Sequence, residues 1–181
     1  MDWKDIRLEE RGGALARVWF RRLASDFWGT LLKPRWYHTW IEIVTPDDQG
    51  LPEGPLSLGI YDKDVDGDRR ALLMSQHWEY EPEQLARYEP GHLTIALPGF
   101  AEADLAFVHR VAREGHRENL GPYAFLCAWN DLFDDEKALN CMSWMSAFVR
   151  ARGGPEDVQG RVEEAFRRHL ERLGEGGRLL V

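Results

Sequence analysis

Trp36-Tyr-His-Thr-Trp-Ile-Glu-Ile-Val44 is the stretch on which the fold turns. It is rich in aromatic and β-branched residues and lies between Lys33-Pro34 and the Pro-, Gly- and Asp-dense residues 45–55, so it predicts a strand. Strict alternation puts Trp36, His38, Trp40, Glu42 and Val44 on one face. After the loop at 45–55, Leu56–Tyr61 reads as the returning strand, Asp62–Asp68 as a turn, Ala71–Tyr80 as a third strand and His92–Pro98 as a fourth. Upstream, Leu15, Val18, Trp19, Arg22, Leu23 and Phe27 follow a helical period. Residues 2–32 are therefore expected to be helical, with Gly12-Gly13 breaking an early turn.

Beyond residue 100 the pattern becomes helical. Leu105, Val108 and Ala112 predict a helix over Ala101–Arg113, and Pro122–Phe133 reads as a short apolar helix or buried segment. Cys141–Arg152 is a further helix, stopped by Gly153-Gly154-Pro155. Glu156–Leu173 is a charged amphipathic helix with Val158, Val162, Phe166 and Leu170 on one face. The order helix, antiparallel strands, helices is the segregated α+β pattern. The 181 residues are expected to form a single domain: a helical extension at 1–34, a core at 35–152 and a C-terminal helix within 156–181.

Acidic side chains number 31 against 23 basic ones, for a formal net charge of −8. That balance argues against nucleic acid and against anionic membrane surfaces, both of which select basic proteins. No run of ~18 apolar residues exists to span a bilayer. Met1–Gly13 is charged from its first residues and lacks an apolar core, so it does not read as a secretory signal. Cys127 and Cys141 are too few for a disulfide scaffold, and the cytoplasm, with both thiols reduced, is the expected location.

Cys141, Trp144, Met145, Phe148 and Val149 are spaced as one helical face that begins at the cysteine, with Asn140 placed to cap it. A thiol in the first turn sits at the positive end of the helix dipole, which favours thiolate. The competing reading is a small buried residue opening a core stripe. Cys127 lies in an uncapped apolar run and reads as structural. His109, His116 and His169 lie among charged residues and His92 opens a strand. His38, set among tryptophans in mid-strand, is either a hydrogen-bonded core residue or a site residue.

Tyr37-His38-Thr39-Trp40-Ile41-Glu42-Ile43 early and Leu139-Asn140-Cys141-Met142-Ser143-Trp144 late, with Leu56–Tyr61 between them, resemble the circularly permuted papain-like proteins. These form a branch of the NlpC/P60 superfamily that includes the lecithin retinol acyltransferase-like and PPPDE-type families. The resemblance covers residues 36–152. It implies a circularly permuted papain-like fold: a small antiparallel sheet packed on helices, here with extra N- and C-terminal helices. It further implies a cysteine-dependent hydrolase or acyltransferase in which His38 is the base and Cys141 the nucleophile. An amide, ester or thioester carbonyl in a peptide, isopeptide or acyl substrate would be attacked. The Cys141 N–H would hold the oxyanion, with Tyr123 as second donor. The third residue that orients the imidazole is not evident; on the returning strand Ser57 and Tyr61 are the polar candidates, and a serine hydroxyl is a weak orienter.

Two other functions compete. One is a catalytically silent member of the same group that binds a peptide or acyl ligand. The other is an interaction protein docking through a helix bearing Trp3, Trp19 and Trp28. Asp62-Lys-Asp64-Val-Asp66-Gly67-Asp68 opens like a calcium loop, but Leu73 stands where the bidentate glutamate belongs, so an acidic hairpin turn is expected. No zinc-ligand spacing, phosphate loop or dinucleotide fingerprint occurs, so neither a metal nor a cofactor is expected.

Overall fold

The structure, a computed structural model, describes residues 13–22, 37–44, 56–75, 90–123 and 140–173. Their strands are β1 (Ala14–Arg22), β2 (Tyr37–Val44), β3 (Leu56–Val65), β4 (Asp68–Met74), β5 (Gly91–Leu97) and β6 (Glu118–Pro122). They form a six-stranded sheet in the order β5-β1-β2-β3-β4-β6, antiparallel at every junction. The described helices are α1 (Glu102–Ala112), α2 (Cys141–Arg150) and α3 (Val158–Arg172). The class is α+β.

One face of the sheet carries the apolar core. Ala14, Ala16, Val18 and Phe20 of β1 meet Ile41 and Ile43 of β2, then Leu56, Leu58 and Ile60 of β3, all buried. All three helices lie on this face: α3 on β5 and β1, α2 on β2 and β3, α1 on β3 and β4. Met145, Phe148 and Val149 of α2 and Val158, Val162, Phe166 and Leu170 of α3 supply their buried stripes. A side chain of this size contributes about 1.5–3 kcal/mol when removed from water. The turn after α2 ties the layers together. Gly153 adopts a left-handed φ of 73°, Gly154 N donates to Val149 O, and Gly99 N donates to Arg152 O at the end of β5. Arg152 also reaches Asp104 on α1 at 2.6 Å and lies over the Phe148 ring.

Several expectations need correction. Residues 14–22, expected within a helix, are β1. Its sequence alternates Ala14, Ala16, Val18, Phe20 inward with Leu15, Arg17, Trp19, Arg21 on the other face, and that period of two is satisfied by strands on both sides. The N-terminal extension at 1–34 is thus in part a central strand of the sheet. The turn expected over Asp62–Asp68 narrows to Asp66-Gly67, both at positive φ, between the paired Val65 and Asp68. This is the geometry that Asp-Gly favours in a two-residue hairpin. β6 was not anticipated. The expected segment Pro122–Phe133, and Cys127 with it, lies almost wholly outside the described residues.

Two glycines test the packing. A Cβ on Gly91 would overlap the ring of Phe20, itself 1% exposed, and stand 2.9 Å from His169 Cγ. Gly91→Ala should therefore lower the free energy of unfolding by about 1–3 kcal/mol. Gly160, in α3, meets nothing within 4 Å, and Gly160→Ala should raise it by about 0.5–1 kcal/mol. Urea unfolding of the two variants beside the wild type checks both signs.

Candidate functional site

His38 is the second residue of β2 and lies on the face that bears no described helix. Its neighbours there are rings, with Trp40 at 5.9 Å and Tyr61 at 5.0 Å between centroids. The ring row continues across strands: Trp40 stacks on Trp19 of β1 at 6.0 Å, and Trp19 meets His92 of β5 at 4.6 Å. Gly59 makes the row possible, because a Cβ there would stand 3.1 Å from Trp40 Cβ and 3.3 Å from the Tyr61 hydroxyl. Beside the rings, Glu42 accepts from Arg17 Nη1 at 2.7 Å and from Trp19 Nε1 at 3.0 Å. His38 is 7% exposed. Burial, reinforced by the Arg21 guanidinium, lowers its pKa to about 3, so the imidazole is neutral at physiological pH. His92 is likewise held below its ordinary value, first by burial, then by Arg17 and Arg172, with Glu42 opposing.

Cys141 is the first residue of α2. Asn140 caps it: its side chain accepts from Ser143 N at 2.8 Å, and its own N donates to Ser143 Oγ at 3.0 Å. This is a capping box with serine in the third position. The thiol is 8% exposed and sits on the helix-bearing side of the sheet, where Tyr37 is a neighbour. Tyr37 packs on Phe166 of α3 at 4.5 Å. Burial first, then Glu163 and Cys141, push the Tyr37 phenol well above its usual pKa, so it is no base for the thiol.

The expected pair is thus not brought together. Tyr37 and His38 are consecutive in a strand, so their side chains leave opposite faces, and Cys141 is on the side of Tyr37. Ser57 is on the same face as His38, but in register it lies opposite Glu42, four residues along β2, or ~13 Å away from His38. That span is too long for a hydrogen bond to the imidazole, whereas Tyr61 has its ring 5.0 Å from that of His38. Ser57 is 2% exposed and its hydroxyl has no hydrogen-bond partner among the described residues. Tyr123 follows β6, where its N donates to Arg69 O. β6 lies three strands from β2 in the sheet, and the Tyr123 ring packs against the apolar core. Sequence reading missed Tyr37 as the neighbour of the thiol and Trp19 as part of the ring row. The alternation of residues 14–21 carried the signal for Trp19.

In the acidic turn, Asp62 pairs with Arg69, Asp68 pairs with Arg70 at 2.8 Å, and Asp64 accepts from Gly67 N. No cluster of three metal-ligating side chains occurs among the described residues, and no described helix is long and apolar enough to cross a membrane. Compared with known proteins, the chain matches no family model, no curated protein and no solved structure.

The lowered pKa of His38 predicts a pH signature. The unfolded chain binds a proton at His38 below the reference value of about 6.5, whereas the folded chain does so only near 3. The stabilisation from the neutral imidazole is therefore complete above pH ~6.5 and is lost as pH falls, by about 2 kcal/mol between pH 7 and 5. Urea unfolding at the two pH values should show the wild type losing that much more than His38→Gln. Equal losses would mean that the folded protein protonates His38.

Proposed function

We propose that the chain is a catalytically silent relative of the permuted papain-like proteins, a domain that holds a peptide or acyl ligand without cleaving it. The observation that carries this reading is the placement of the imidazole and the thiol on opposite faces of one sheet. A thiolate–imidazolium pair needs the two groups in hydrogen-bond contact. A neutral, buried imidazole with a pKa of about 3 is also too weak a base for a thiol whose reference value is about 8.5. What the domain offers a ligand is the accessible end of the ring row, His92 and Trp19, with the Arg17–Glu42 pair beside it. Rings stack on acyl and aromatic groups, and the paired charges orient polar ones. A cytoplasmic location fits the two-cysteine content.

One observation favours the second reading, a cysteine-dependent hydrolase or acyltransferase. Cys141 opens a capped ten-residue helix, where the dipole lowers a thiol pKa. Its burial acts the other way.

Alkylation by iodoacetamide between pH 5 and 9.5, read at Cys141 by peptide mapping, separates the two. A silent domain gives slow labelling that rises with an inflection at or above about 8.5, and His38→Gln leaves the profile unchanged. Fast labelling at pH 6 that slows at least tenfold in His38→Gln would reject the silent reading and restore the dyad.

A further inference from the structure

The two edges of the sheet are built differently. β6, at one end, has five residues, a charge at Glu118, a proline at Pro122 and a register irregularity opposite Arg70–Leu72. Shortness, charge, proline and bulge are the devices by which sheets stop another strand from adding to an edge. β5, at the other end, has none of them within its own span, with prolines only at its two boundaries, Pro90 and Pro98. Gly91–Leu97 contains no Lys, Arg, Asp, Glu or Pro, and its seven residues pair with β1 in unbroken register. Among the described residues no strand lies on its outer side. His92, Thr94 and Ala96 are exposed there, and Leu93, on the core-bearing face, is only half-buried.

We propose that two copies of this chain pair edge to edge through β5, antiparallel about a two-fold axis at Thr94, so that the two six-stranded sheets become one. Opposed residues of a ladder must share a face, so the register is restricted to pairs whose numbers have an even sum. Of these registers, the one centred on Thr94 pairs all seven residues. It places Leu93 opposite Ile95 of the second copy, covering the half-buried leucine with a β-branched side chain, and His92 opposite Ala96 of the second copy. No like charges meet, and the interface is isologous, the commonest form of closed dimer.

Sedimentation velocity of the full chain from about 1 to about 100 μM tests this, with Thr94→Lys and Thr94→Asp as variants. The Thr94 side chain is exposed but stands opposite Arg17 of β1, so both variants should keep the wild-type circular dichroism while Thr94→Lys unfolds somewhat more readily than Thr94→Asp; both should remain folded under the conditions of sedimentation. The wild type should shift from monomer to dimer across the range. Each variant alone should dissociate at least about tenfold more readily, because two like charges face each other across the axis. An equimolar mixture of the two should regain association. A wild type that stays monomeric throughout overturns the proposal. So do variants that associate as the wild type does, or a mixture that fails to recover.

Discussion

Consecutive residues of a strand leave a sheet on opposite sides, and in β2 that rule has no slack. Ile41 and Ile43 are fully buried under α2, and a slip of one residue would turn both outward and bring Trp40 and Glu42 into the apolar layer. Both neighbours enforce the same register: β1 pairs with β2 from Leu15↔Val44 to Arg22↔Tyr37, and β3 pairs from Ile41↔Leu58 to Ile43↔Leu56. Once the isoleucines are placed, Tyr37 must face α2 and α3, and His38 must face away. The chemistry open to Cys141 is therefore decided several residues away, by aliphatic burial.

The face opposite the helices is polar and aromatic, yet most of it is buried. Burying such a surface costs free energy wherever a charge is left unpaired or a donor unused. Glu42 avoids both costs, with a guanidinium from the directly facing Arg17 and an indole N–H from the diagonal Trp19 of β1. Removing a pair of ions from water offsets most of their mutual attraction, so the Arg17–Glu42 pair adds little net stability. Its consequence is alignment. Arg17 stands opposite Glu42, and Trp19 opposite Trp40, in a single register, and any other would leave a buried carboxylate without its donors.

How much of this was legible follows from which residues carry one-sided signals. α2 and α3 were readable because their apolar stripes sit on one side only, and β2, β3 and β5 because their runs are bounded by Pro, Gly and Asp. β1 was misread because its second face holds Leu15 and Trp19, so apolar residues occur at helical as well as alternating spacing. A central strand, buried on both faces, blurs its own period. β6 is Glu-Asn-Leu-Gly-Pro, a composition that argues against a strand; it forms at an edge, where proline is admissible. At the site, the cap at Asn140 was readable because capping is local. Which face of β2 would receive α2 is a tertiary fact, and the choice of His38 over Tyr37 depended on it.

Asn140, Cys141, Ser143 and His38 have structural work that explains their types without catalysis. Asn140 and Ser143 satisfy each other's backbone N–H at a helix start, and such a cap contributes about 0.5–2 kcal/mol. Cys141 is small enough to begin a buried stripe directly after that cap, next to Tyr37. His38 is a flat ring between Trp40 and Tyr61, kept neutral by burial, which is the form that stacks at the least electrostatic cost beside Arg21. Gly59 leaves the space those rings fill. Each of these residues thus has its type explained by its immediate neighbours, with His38 directed to one face of the sheet and Cys141 lying on the other.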